Sequence, residues 1–178
     1  MTKKTFKNIE SHAFDNKKSG IKKPKNLIEW VSLAKSNTEM HARDGKLVAT
    51  DGHRLHVVNL SDIHLDKHLK GYISLTGAKI ESDGRFPEYE GVIPKENLQT
   101  EFDLTQAFEI KQDDYGTYIY LDLFGTRCKF NLKYWQDAVQ KDTSCQISKK
   151  DDDSRSPVKL TFDNRMAVIM PIRIEAGE

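Results

Sequence analysis

The 178-residue sequence has two cysteines, five prolines and no apolar run near the ~20 residues that a membrane-crossing helix requires. Cys128 and Cys145 are too few for a disulfide framework and match no metal-ligand spacing, so a reducing, cytoplasmic setting is expected. The start, MTKKTFKNIESH, has no apolar stretch behind its lysines and so no readable secretion signal. An excess of one charge is also missing. With 28 Lys+Arg against 27 Asp+Glu, the net of +1 excludes a protein that holds nucleic acid by bulk charge alone. There is no nucleophile elbow, glycine-rich phosphate loop or His-Glu metal helix. His53 and His56, and His64 and His68, have spacings a metal could use, but no cysteine or carboxylate cluster accompanies them, so surface histidines are expected. The carboxylates of Asp151–Asp153 read as a solvated loop tip. No catalytic residue, metal or cofactor is expected, and the chain reads as a non-enzyme.

What is present is a repeated pattern. Asn26 can cap a helix in which Leu27, Trp30, Val31 and Ala34 share one face. Strands follow, turning at Asp44-Gly45 and again at Asp51-Gly52. In the C-terminal part, the strand TRCKF precedes Asn131, which can cap a helix with Leu132, Trp135, Ala138 and Val139 on one face. Strands CQIS, VKLTF and MAVIMPIRI follow, the last two joined by a turn at Asp163-Asn164. KLVATDGHRLHVV and KLTFDNRMAVIM both run Lys-Leu, strand, Asp turn, Arg, apolar strand, which suggests an internal βαβββ repeat. The expected class is α+β with antiparallel sheets and helices on one face.

Four segments are expected. Residues 1–26 form a basic N-terminal segment with a possible first strand; their eight lysines against Glu10 and Asp15 give a local net of +6 and leave −5 for the rest. Residues 27–83 and 126–178 are the two half-domains. Between them, 84–125 comprises the proline-bracketed crossing GRFPEYEGVIP, read as extended, and a hairpin around Asp113–Gly116. Both thiols sit in apolar strand contexts and should be buried. Pro171 marks the terminal strand as an edge strand, because proline cannot complete a central ladder.

Three of these segments, ATDGHRL (49–55), GRFPEYEGVIP (84–94) and VIMPIRI (168–174), resemble signatures of the bacterial sliding clamp, the DNA polymerase III beta subunit, and they come in that family's order. FNLKYWQDAV (130–139) resembles a helix of its third domain. The resemblance implies a DNA-clamp-like fold and a replication processivity factor. Copies would form a ring oligomer around double-stranded DNA, and DNA polymerase, clamp loader and other partners would dock through short peptide motifs. It implies a peptide pocket built from Thr50, Gly52, His53, Arg54 and Leu55, from Pro87 and Val92, and from Val168, Met170, Pro171, Ile172 and Arg173. His53, Arg54 and Arg173 would orient the bound main chain or a glutamine side chain. Lys25, Lys35, Lys133 and Lys141, on or beside the two helices, are the candidates for non-specific phosphate contact. The family's subunit is about twice this length with three domains. A condensed clamp, with a phage or other mobile element as its source, is therefore expected. The rival is a module that never closes a ring and captures clamp-binding motifs as a decoy, inhibitor or adaptor.

Overall fold

The computed structural model describes residues 7–8, 24–35, 40–82, 85–106 and 108–175. Among the described residues two α-helices, α1 (Leu27–Ser32) and α2 (Leu132–Val139), accompany thirteen strands. A four-stranded antiparallel sheet has the order β1 (Lys7–Asn8), β8 (Glu109–Asp113), β9 (Gly116–Leu123), β10 (Thr126–Asn131). The second sheet has nine strands. In spatial order they are β6 (Lys79–Ile80), β5 (Gly71–Ile73), β2 (Met40–Arg43), β3 (Lys46–Thr50), β4 (Arg54–Asn59), β13 (Arg165–Ile169), β12 (Val158–Thr161), β11 (Ser144–Lys149) and β7 (Leu98–Asp103).

The local signals act as the sequence predicts. Asn26 Oδ1 accepts from Glu29 N at 2.9 Å, and Asn131 Oδ1 accepts from Lys133 N at 2.9 Å, so each asparagine satisfies an orphan donor of its helix. Asp44 and Gly45 both take positive φ (50° and 74°), the conformation a two-residue hairpin between β2 and β3 demands. The hairpin β8–β9 lies between β1 and β10, the strands that precede the two helices.

The repeat is visible in the large sheet. Its centre reads β2-β3-β4 then β13-β12-β11, a palindrome in which β4 and β13 pair antiparallel with Ala167 opposite His56. An arginine opens each of these two strands and reaches back to the C-terminus of its own repeat's helix. Arg54 donates to Leu33 O after α1, and Arg165 donates to Val139 O of α2 at 3.4 Å. Each also touches the other repeat. Arg54 pairs with Asp137 of α2, and the Arg165 guanidinium lies 5.1 Å from the Trp30 ring centre on α1. Cations at helix C-termini complement the macrodipole, so one residue type in one register serves both halves.

Alternation along β4 sends Arg54, His56 and Val58 to the helices and Leu55 and Val57 to the opposite face. The helix face holds the main core, with Trp30, Trp135, Phe130 and Ile169 fully or nearly fully buried. Trp30 Nε1 donates to Ala138 O at 3.2 Å, which ties the helices together. The opposite face is covered by the crossing segment. Tyr89 packs there on Val48, Leu55, Val57 and Val168, and Phe86 stacks on His41 at 4.9 Å. Both faces of β4 are therefore buried over Arg54–Val58.

Three expectations are corrected. His56 is not a surface residue: it is fully buried, stacked on Trp30 at 4.1 Å, and its Nδ1–H donates to Trp30 O at 2.9 Å. His53, His64 and His68 are exposed. The last strand is not an edge strand, since β13 lies between β4 and β12 and ends at Ile169, before the proline. Pro171 lets the chain leave the large sheet, and Ile172 then bridges to Lys129 on the flank of β10 in the other sheet. The crossing is not wholly extended, because Glu90–Val92 form a 3-10 turn. In the acidic loop Asp152 and Asp153 are exposed, as expected of a solvated tip, and the Asp153 carbonyl in addition accepts from the fully buried Lys149 Nζ at 2.9 Å. Cys128 and Cys145 are buried and free; burial pushes the Cys145 thiol up to about 12.

Candidate functional site

The turn that joins β3 to β4 is fixed by its own side chains. Thr50 Oγ1 donates to Arg54 O at 2.7 Å and accepts from Gly52 N at 3.1 Å. Asp51 Oδ1 accepts from the backbone N–H groups of His53 and Arg54, both at 3.0 Å. Gly52 has φ +85° and open space where a Cβ would stand, so its requirement is conformational rather than steric. Met170 N donates to His53 O at 2.9 Å and fastens the exit of β13 to this turn.

Between the turn, the crossing and the exit of β13 lies a cavity of about 390 Å³. Its lining comprises Thr50, Asp51, Gly52, Arg54 and Leu55 from the turn and β4, Pro87, Glu88, Tyr89 and Val92 from the crossing, and Val168 and Met170 from the end of β13. Leu55 and Val168, opposite each other in register, are buried floor residues. Val92 is 43% exposed and Pro87 is exposed, so the crossing supplies an accessible apolar wall. Met170 is half-buried and unbranched, able to repack around varied apolar groups. A concave apolar floor with a few polar groups at the rim suits a peptide or small ligand.

Eight of the twelve residues that the resemblance implies converge on this cavity: Thr50, Gly52, Arg54, Leu55, Pro87, Val92, Val168 and Met170. Four do not line it. His53 is exposed, its ring 6.3 Å from that of Tyr134. Pro171 and Ile172 carry the chain away to β10, and Arg173 lies exposed beyond them. Asp51, Glu88 and Tyr89 line the cavity without having been singled out, although all three lie inside the two signatures. The signal for Tyr89 was an aromatic between two prolines; its near-complete burial depends on which sheet face the crossing covers.

Arg54 also has a different role from the expected one. Its Nε donates to Asp51 Oδ2 at 3.0 Å, one terminal nitrogen pairs with Asp137 Oδ2 at 2.6 Å, and the other donates to Leu33 O. The guanidinium further lies 4.3 Å from the Tyr134 ring centre. It is buried and committed, so it positions the turn rather than orienting a ligand. Asp137, fully buried on α2, accepts a second cation on the same oxygen, Lys133 Nζ at 2.6 Å. A chain of charge thus runs from the exposed Lys133 through Asp137 and Arg54 to Asp51 in the lining. Burial strongly disfavours the charged form of His56, holding its pKa down to about 3, and Arg54, Arg165 and Lys133 act in the same direction.

The four lysines considered for phosphate contact are all exposed. Lys25 and Lys35 flank α1, Lys133 is in the first turn of α2 and Lys141 follows its end. Among the described residues no group of three or more His, Cys, Asp or Glu could hold a metal ion, and no helix is long and apolar enough to cross a membrane.

The fold is that of the bacterial sliding clamp. The chain superposes on the DNA polymerase III beta subunit of Thermotoga maritima with a TM-score of 0.57 at 14% identity, covering 84% of this chain and 63% of that one. The DNA polymerase sliding clamp of Pseudomonas aeruginosa gives 0.58 at 18% identity, covering 83% and 64%. The Helicobacter pylori beta clamp bound to a DNA ligase peptide gives 0.53 at 13% identity, covering 86% and 64%. The chain therefore spans less than two thirds of the length of these clamps. No sequence-family profile and no curated protein matches it.

Proposed function

We propose that this chain is a condensed, sliding-clamp-like DNA replication processivity factor. Copies assemble into a ring with the helices facing duplex DNA, and the apolar groove receives peptide motifs of a DNA polymerase, a clamp loader and other replication proteins. The observation that carries the reading is convergence. Three segments far apart in sequence, 50–55, 87–92 and 168–170, line one groove in a chain with the clamp fold. They belong to the three signatures by which the sequence resembles that family. Residues 27–83 and 126–178 act as two half-domains, and 84–125 supplies the groove wall and the hairpin. Enclosure would make DNA contact non-specific and salt-sensitive, with Lys25, Lys35, Lys133 and Lys141 as phosphate partners. Two buried free thiols suit a reducing cytoplasm. The chemistry supported is binding, not catalysis.

A second reading is favoured by one specific observation: the groove is lined from all three segments while the chain spans only about 63% of the neighbouring clamps' length. A non-ring module of that kind would capture clamp-binding motifs as a decoy, inhibitor or adaptor. Both readings require the groove to bind peptide. A labelled peptide of the Gln-x-x-Leu-Phe type should bind with micromolar affinity, on the order of −8 kcal/mol. Val92→Asp, at the exposed wall, should abolish measurable binding in fluorescence anisotropy, and Met170→Ala should weaken it by about tenfold. Unchanged affinity in both variants would remove the groove from the account.

A further inference from the structure

The charges around the groove are unevenly disposed. Among the described residues, its lining contains two carboxylates, Asp51 and Glu88, and one cation, Arg54. Arg54 is neutralised from within by Asp51 and Asp137 and is 7% exposed. Glu88 is different: its side chain is 65% exposed, and its ion-pair partner, Arg43, is shared. The Arg43 guanidinium lies 3.2 Å from Asp44, 3.3 Å from Glu88 and 4.0 Å from Glu90, so three carboxylates divide one cation. Glu88, in the lining with the exposed apolar surface of Val92, is therefore a carboxylate whose charge the shared Arg43 offsets only in part.

We infer that the groove, taken as a peptide site as proposed above, selects an apolar segment flanked by lysine or arginine, with the cationic side chain held by Glu88 and Glu90. A peptide whose apolar pair rests on Val92 and Met170 brings its neighbouring residue to this carboxylate-rich wall. A lysine or arginine there gains a partner without displacing any buried group, because Glu88 is solvent-exposed and only partly compensated. An aspartate or glutamate at the same place meets uncompensated like charge. Exposed rim charges set selectivity and association rate more than total affinity, and their effect is screened by salt.

The test uses the full chain and three fluorescently labelled peptides that share a Leu-Phe anchor and differ only in one flanking residue, Lys, Gln or Glu. At low salt the affinities should fall in the order Lys, Gln, Glu, with roughly a 3- to 10-fold separation between the extremes, the size expected for one to two exposed ion pairs. Glu88→Lys leaves two carboxylates against two cations and should abolish the order, as should ~0.5 M salt. Equal binding of all three peptides at low salt, or an order unchanged by Glu88→Lys, would overturn the charge selection and leave the groove intact as a peptide site. Failure of all three to bind would overturn both. Glu88 is exposed and outside the core, so the variant tests recognition rather than folding.

Discussion

Replacing Asp137 by alanine is expected to cost about 3–5 kcal/mol of folding stability, the range for removing one partner of a buried ion pair. Its carboxylate has no exposed surface and holds two cations on one oxygen, Arg54 and Lys133. Without it the Arg54 guanidinium stays inside the protein with Asp51 as its only carboxylate partner among the described residues. The turn that lines the groove would then be held by a weakened anchor, so peptide affinity should fall together with stability. Asp137→Asn keeps the shape and one acceptor and should lie between the wild type and the alanine variant. Urea unfolding checks this directly. An alanine variant within about 1 kcal/mol of wild type would mean that the charge chain contributes little.

The second large effect is expected on acidification. His56 is neutral in the fold, with a pKa of about 3 against an ordinary value of 6.5. Between those values the unfolded chain binds a proton that the folded chain excludes. Its contribution to stability is therefore complete above pH 6.5 and is lost as pH falls. The slope is about 1.4 kcal/mol per pH unit, reaching roughly 4–5 kcal/mol by pH 3. His41, half-buried and beside Arg43, is shifted in the same direction, with burial the larger cause. The interval from 6.5 to 5 lies above the ordinary carboxylate range, although burial raises Asp142, so a variant lacking the imidazole is needed to isolate the histidine effect. Chemical unfolding of wild type and His56→Leu across it should show a slope in the first that is reduced in the second. Equal slopes would place the acid sensitivity elsewhere.

Local chemistry was the legible part of this fold. Asn26, Asn131 and the Asp44-Gly45 pair each satisfy or shape backbone within a few residues, so their roles could be read without knowing what lies across the molecule. The repeat was legible for the same reason, since Lys-Leu, turn and Arg recur in one order and place Arg54 and Arg165 alike. What failed depended on tertiary position. His56 reads as a polar residue near a turn, and only the stacking of α1 on β4 buries it against Trp30. The Asp151–Asp153 loop reads only as a solvated tip, and nothing local shows that its Asp153 carbonyl holds the buried Lys149 ammonium inside. Pro171 reads as the mark of an edge strand; instead the strand stops two residues earlier and the proline serves the crossover to β10. The groove was legible in outline, because its three segments are local motifs. Asp51, Glu88 and Tyr89 join the lining only through the path of the crossing over the sheet. The committed state of Arg54 depends on Asp137, distant in sequence, and so was invisible to motif reading.

We propose that copies of this chain close a ring around DNA while the groove outside recruits partners. Molar mass in solution, measured by light scattering over a range of concentrations, tests it most directly. A ring requires a stable assembly of three or more chains, a mass at least roughly three times the 20.4 kDa of one chain. A species that stays at 20.4 kDa at high concentration would contradict the ring and leave a peptide-capturing module.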